Sequence, residues 1–160
     1  MTDLLVKLYD LPDLKPALDT VGKQAVVVRR AMASEKRLVT SWVKGLFGDG
    51  WASECDVAFS RMPIACVIAI SGDRIIGFAC HDSTCRNFFG PIGIDPADRQ
   101  KGIGRTVLLY TMHAMAQAGF AYAIIGAAGP MGFFEKWVNA FPIPGSTPGI
   151  YPAPIKNKRL

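Results

Sequence analysis

Apolar runs broken by turn residues mark the middle of the chain. "IACVIAI" (64–70), "SGDR" (71–74) and "IIGFACHD" (75–82) predict two strands joined as a hairpin. "AVVVRR" (25–30) is a β-branched run that predicts an earlier strand. In "SEKRLVTSWVKGLF" (34–47), Val39, Trp42, Val43 and Leu46 fall at i, i+3, i+4 and i+7, the stripe of an amphipathic helix with Ser34 as N-cap. "FGDGWASECD" (47–56) reads as a glycine-punctuated loop with a short helix near Ala52 to Val57. "NFFGPIGI" (87–94) predicts a third strand after Pro63, but Pro91 cannot donate to a ladder and Gly90 and Gly93 have no Cβ. A bulge or a splayed edge is expected there, with backbone groups left free for a ligand.

Beyond Gly104, Leu108, Met112 and Met115 share one helical face, with Leu109 and Ala116 beside it, which predicts a mostly buried helix. "FAYAIIG" (120–126) is a further strand, so strand, helix and strand follow one another and the two strands should lie parallel through a right-handed crossover. "PMGFFEKWV" (130–138) predicts a shorter helix. "AFPIPGSTPGIYPAP" (140–154) predicts two extended pieces around a turn, and "IKNKRL" (155–160) a solvated tail. The predicted order is β-α-(α)-β-β-β-α-β-α-β-β, a mixed sheet with helices on its faces.

Composition narrows the class without changing this picture. The 160 residues are half apolar and 19% charged, which suits one globular domain over 1–160 rather than a disordered chain. A formal net charge of +5 fits an anionic ligand but does not select one. Cys55, Cys66, Cys80 and Cys85 form no CxxC pair, and with His81 and His113 they show no zinc spacing, so no metal and free thiols are expected. Asp3, Lys7, Asp10 and Asp13 interrupt any leader-like apolar run, and no uncharged stretch is long enough for a bilayer. A cytoplasmic protein without membrane contact is expected.

The chemistry concentrates in "DPADRQKGIGRTVLL" (95–109). Unpaired N–H groups at a helix start attract phosphate, glycines let it approach, and Arg99, Lys101 and Arg105 add charge. The same glycines could serve only a turn. A dinucleotide fingerprint fails because Val107 stands where its third glycine belongs, and no Asp or Glu occurs between Arg105 and Phe134. A P-loop fails for want of Gly-Lys-Ser/Thr.

The remaining pattern, Arg99-x-x-Gly102-x-Gly104 after a proline-disturbed strand and before a buried helix, resembles the GCN5-related N-acetyltransferases (GNAT superfamily). "VVVRRA" (26–31) is similar to that family's first strand and "GFFEKW" (132–137) to its F-Y-E-K stretch. The resemblance covers about residues 25–155 and leaves 1–24 as an N-terminal extension of unassigned structure. It implies an α/β (α+β) fold: a mixed, mostly antiparallel sheet with a central splayed parallel pair and helices on both faces. It also implies acetyl-coenzyme A as cosubstrate, its pantetheine and carbonyl on the backbone of Ile92, Gly93 and Ile94. Arg99, Gln100, Lys101, Gly102, Ile103, Gly104, Arg105 and Thr106 would hold its pyrophosphate, with Phe133 completing the set.

The implied reaction is N-acyl transfer by direct attack of an amine, a small molecule or peptide, in a ternary complex. Such an amine must lose a proton first, since its pKa is about 10.4. Candidate bases are Asp82, His81, Glu54 and Asp56, and a free N–H near Ile92 to Ile94 suits the oxyanion. The family's tyrosine, which protonates the departing thiolate, is replaced by Phe134, leaving Ser146, Tyr151 or water for that task. "GAAGPMG" (126–132) also lacks a polar coenzyme contact that relatives carry after the strand. Trp51 and Phe59 would wall the acceptor cleft, with Asp49, Glu54 and Asp56 drawing a cationic amine. Cys80 and Cys85 have no basic surroundings to make them nucleophiles. The alternative is a non-catalytic acyl-coenzyme A binding or sensing module. Scattered basic residues speak against nucleic acid, and an exposed edge of the terminal hairpin would permit a homodimer.

Overall fold

The computed structural model of the chain describes residues 1–156. Its elements are β1 (Leu4–Lys7), α1 (Lys15–Gly22), β2 (Val26–Arg30), α2 (Lys36–Phe47), α3 (Asp49–Ala58), β3 (Cys66–Ser71), β4 (Arg74–His81), β5 (Phe88–Ile94), α4 (Ile103–Gln117), β6 (Tyr122–Ile125), α5 (Met131–Val138) and β7 (Phe141–Pro142). The strands form a seven-stranded sheet in the order β2-β3-β4-β5-β6-β1-β7. Every neighbouring pair is antiparallel except β5 and β6, which are parallel across the buried α4 crossover. Among the described residues no helix is long and apolar enough to cross a membrane.

Strand side chains alternate between faces, and the two faces carry separate cores. Val67, Ala69, Ile76 and Ala79 pack with α1, α4 and α5, whereas Cys66, Ile68, Phe78 and Cys80 pack with Val39 and Val43 of α2 and Cys55 and Ala58 of α3. Both faces of β3 and β4 are covered, which is why those strands read as unbroken apolar runs rather than alternating ones.

Four expectations are corrected by packing. Residues 1–24 are built into the fold: β1 lies between β6 and β7, with Leu4 opposite both Ile125 and Pro142, and α1 packs on α4. Residues 47–56 are not a loop, because a single glycine, Gly48 at φ 92°, turns the chain from α2 directly into a continuous α3. Ser34 caps nothing; the Glu35 carboxylate instead accepts from Met32 N–H (2.8 Å) and forms a bidentate pair with Arg29 (2.6 and 2.9 Å). That guanidinium holds the Glu35 carboxyl at about 2. The terminal hairpin is reduced to the two residues of β7, a sheet edge to which Pro142 brings no N–H. The predicted tail runs from residue 157 onward outside the described residues.

Two features of the α2–α3 face lead to measurements. Cys55, Cys66 and Cys80, from α3, β3 and β4, bring their Sγ atoms within 4.8 Å of one another although their spacing in sequence shows no metal set. Contact with the Cys55 sulfur and burial push the Cys66 thiol up, and burial pushes the Cys80 thiol up, so both stay protonated and pack as small hydrophobes; Cys85 is exposed. Contact with Cys66 pulls the Cys55 thiol down to about 5, but all three sulfurs are shut off from solvent; native protein should therefore react with an aromatic disulfide reagent rapidly at one thiol, Cys85, and at the other three only on denaturation. Rapid reaction of a second thiol would show that this core opens.

The second feature is the seat of β5 on α2. A Cβ on Gly93 would come within 2.6 Å of the Phe47 ring, which already stacks on Trp51 at 5.3 Å. Gly93→Ala should therefore destabilise by about 1–3 kcal/mol. Gly45→Ala, with nothing within 4 Å of the new methyl, should stabilise by up to about 1 kcal/mol through helix propensity. Paired thermal melts check this, and equal shifts for the two variants would show that the ring yields freely.

Candidate active site

Strands β5 and β6 pair only at Phe88 with Ile124 and Phe89 with Ile125. Beyond them Gly90 adopts φ 119°, Pro91 supplies no N–H, the β4–β5 register shifts between Ala79 and His81, and β6 ends at Ile125. The remaining length of β5 lies beside β4 alone, with Gly77 opposite Ile94, Phe78 opposite Gly93 and Ala79 opposite Ile92. Asp95 N–H donates to Ile76 O at 2.9 Å. Bonded and non-bonded pairs alternate in an antiparallel ladder, so Gly93 and Phe78 form the next bonded pair. The backbone groups of Ile92 and Ile94 therefore turn away from β4, into the gap left by β6.

The gap leads to the loop before α4. Asp95 accepts from Ala97 N–H (2.9 Å) to begin a 3₁₀ turn, and Gln100 (φ 64°) and Gly102 (φ 80°) bend the chain into the helix. The first intrahelical bond runs from Thr106 N–H to Gly102 O (3.1 Å), leaving the N–H groups of Ile103, Gly104 and Arg105 without helical partners. Gly104 borders Ile94 and Phe133, at 3.5 and 3.6 Å from the position a Cβ would take. The glycine loop, the backbone of the splayed strand and Phe133 thus form one continuous surface.

The charges around the loop are arranged differently from their sequence order. Asp98 is buried and accepts from Lys101 Nζ (2.8 Å) and Arg74 Nη2 (3.2 Å), and these two cations, Lys101 first, hold its carboxyl below the usual range. Lys101 is thereby committed within the protein. Arg105 swings to α5, its guanidinium 4.4 Å from the Trp137 ring centroid and its buried Nε unpartnered among the described residues. Thr106, expected on the phosphate, is fully buried beneath the loop with its hydroxyl bonded to Gly102 O and Ala17 O (2.9 and 3.1 Å). Arg99 and Gln100 are exposed on the loop.

Phe47, Trp51 and Phe78 cover the opposite face of β5 at Gly93. Trp51 is 38% exposed and can meet a ligand, whereas Phe59 is buried in the core and is no part of a cleft wall. The expected acidic rim is not assembled. Asp49 pairs with Lys44 (2.9 Å) and Asp56 with Lys36 (3.1 Å), both on the outer surface. Glu54 instead bonds the Thr84 hydroxyl, which lies 3.5 Å from the Tyr151 hydroxyl. Tyr151 in turn stands 3.1 Å from where a Cβ on Gly126 would be, just past the last paired residue of β6. Burial pushes the Tyr151 hydroxyl up, so it is a protonated donor at neutral pH. Thr84 has no signal in the sequence that would single it out.

The other candidates lie elsewhere. Phe134 is buried between Phe89 and Phe133 in the core. Ser146 is a turn residue, its hydroxyl donating to Ile143 O (2.7 Å) and accepting from Asp3 N–H (3.0 Å). His81 and Asp82 are bonded to each other (2.7 Å) but line a cavity at the C-terminal end of α4, a helix of 15 residues and so about 20 Å long, with the glycine loop at its other end. Their place as bases at the gap is not supported, because the paired part of β5 and β6 stands between.

No family model matches the sequence, and no curated protein matches it. Solved structures do. A GCN5-related glucosamine N-acetyltransferase region of a fungal multi-domain GH3 β-N-acetylglucosaminidase superposes with a TM-score of 0.74 at 14% identity, over 89% of this chain and 19% of that one. A GCN5-related N-acetyltransferase from Sphaerobacter thermophilus gives a TM-score of 0.63 at 12% identity, over 89% of this chain and 48% of that one. The chain thus spans about a fifth and about half the length of these two structures. At such identities the likeness is one of architecture, and by its splayed parallel pair, glycine loop and helix order the chain has the GCN5-related N-acetyltransferase fold.

Proposed function

We propose that the chain binds an acyl-coenzyme A and transfers its acyl group to an amine. The observation that carries this reading is the continuity of unpaired backbone: Ile92 and Ile94 facing the gap, then the free N–H groups of Ile103, Gly104 and Arg105. A pantetheine arm carries amide groups that pair with the first, and a pyrophosphate suits the second. Arg99 adds an exposed charge, while Lys101 and Arg74 position the loop through Asp98.

The coenzyme supplies an activated thioester. In the protein, the N–H of Ile92 or Ile94 polarises its carbonyl, and the aromatic surface of Trp51 receives the acceptor beside the gap. Glu54, through Thr84, removes one proton from the ammonium; the amine nitrogen bonds to the carbonyl carbon, the carbon–sulfur bond breaks, Tyr151 protonates the departing thiolate, and the second proton lost from the nitrogen restores the Tyr151 phenol. Phe134 lacks that proton, and Tyr151 enters from the C-terminal segment instead. Phe134 also favours a second reading, in which the chain binds the thioester without turnover.

Calorimetric titration tests the binding surface. Acetyl-coenzyme A should bind in the micromolar range. Gly104→Ala, whose methyl meets nothing nearer than 3.5 Å and so leaves folding intact, should weaken binding at least tenfold, and Arg99→Gln by about three- to tenfold. No wild-type binding, or unchanged affinity in Gly104→Ala, would remove the reading.

Proton transfer is tested by thiol release with a panel of amines. Glu54→Gln and Tyr151→Phe should each leave the dissociation constant of acetyl-coenzyme A unchanged, and Glu54→Gln should lower kcat by about 10²–10⁴-fold. Undiminished turnover in both variants would reassign the acid and base. Intact binding with no thiol release for any amine would favour the binding module.

A further inference from the structure

The His81–Asp82 pair belongs to a site of its own. At the C-terminal end of α4, facing away from the glycine loop, a cavity of about 550 Å³ is bordered by Arg30, Arg61, His81, Asp82, Arg86 and Gln117. That volume is within the usual range for small-molecule sites. Its charge is one-sided. The Asp82 carboxylate is already engaged, Oδ2 with His81 Nδ1 and Oδ1 with Asn87 N–H, each at 2.7 Å. Arg61 Nε donates to Asp82 O (2.9 Å) and Arg30 Nη1 to Ile64 O, contacts that aim each guanidinium while leaving its other N–H groups available. Arg86 stands on the rim, 79% exposed, with its Nε 4.0 Å from Asp82 Oδ1 and its guanidinium 5.8 Å from the Phe120 ring centroid. Three arginines against one carboxylate make the lining of the cavity cationic.

The second observation is an orphan. His81 is 5% exposed and its Nε2 has no hydrogen-bond partner among the described residues. With Nδ1–H donated to Asp82, neutral imidazole presents a lone pair at Nε2. α4 contributes Ala114, Gln117 and Ala118 here, none of them charged, so the charged groups that line the cavity with His81 are Asp82 and the three arginines. A buried acceptor in a cavity lined by cations calls for a ligand that brings negative charge and a proton together.

We propose that this cavity binds a small phosphate, free or as a monoester, whose ionic oxygens are held by Arg30, Arg61 and Arg86 and one of whose oxygens shares a proton with His81 Nε2. Hydrogenphosphate has that proton; sulfate, of the same shape and charge, lacks it near neutral pH. The site is about 20 Å from the coenzyme loop along α4.

The test is titration of the full chain with inorganic phosphate at constant ionic strength, followed by calorimetry and by the ¹⁵N resonances of His81. One saturable site is expected, with a shift at His81 Nε2 and phosphate preferred over sulfate at least fivefold. Arg61→Gln should abolish binding, and Arg86→Gln, at an exposed position that folding does not need, should weaken it severalfold. Saturating coenzyme A should leave phosphate bound, whether or not the chain proves to be an acyltransferase. Glucose 6-phosphate and glycerol 3-phosphate in parallel arms separate a monoester from the free ion. The proposal is overturned by no effect beyond matched chloride, equal response to sulfate, unchanged binding in both variants, or displacement of phosphate by coenzyme A.

Discussion

The parting of β5 from β6 is the constraint on which the rest of the molecule depends. Two parallel strands stay paired for as long as both present N–H and C=O groups to each other. Here Gly90 and Pro91 end the pairing after two residues: one is held at a left-handed φ, the other lacks a donor. What would be a continuous ladder becomes a wedge lined by unspent backbone groups of Ile92 and Ile94. Buried backbone without partners is costly, so the wedge persists only because β4 pairs the other edge of β5 and the α2–α3 aromatic cluster supports it at Gly93.

The loop that follows extends the same logic into charge. Burying Asp98 between Lys101 and Arg74 fixes the approach to α4 and removes one of the cations that would otherwise be counted toward a phosphate. Thr106 locks the loop to α1 through Ala17 O, and Gln24 donates to Lys101 O (2.9 Å) from the end of the same helix. The N-terminal segment is therefore part of the scaffold under the glycine loop.

It also holds the opposite side of the gap. Asp3 accepts from Ala127 N–H (2.8 Å) through its carboxylate, donates its N–H to Ser146 and accepts from Ile143 N–H (2.9 Å). These bonds pin the C-terminal segment, otherwise poor in regular structure, where Tyr151 can lie over Gly126 beside Thr84 and Glu54. Chain ends far apart in sequence thus meet at the one place where β6 stops.

Much of this fold was legible in the residues themselves. The hairpin of β3 and β4, the buried α4 and the disturbed strand at Pro91 follow from apolar period and from the missing N–H, which are local properties. The glycine loop was legible for the same reason, since a left-handed turn before a helix requires a residue such as Gly102. The four-residue strand β1 was not, because "LLVK" is too short to show a period and is stable only between β6 and β7. Nor could composition assign partners: Lys101 turns to Asp98, Asp49 to Lys44, and three distant cysteines share one core. Where the backbone must be left unpaired can be read along the chain, because glycine and proline act on their own residue. Which side chains face that gap cannot, because a side chain's neighbours are set by strand order and helix packing rather than by its place along the chain.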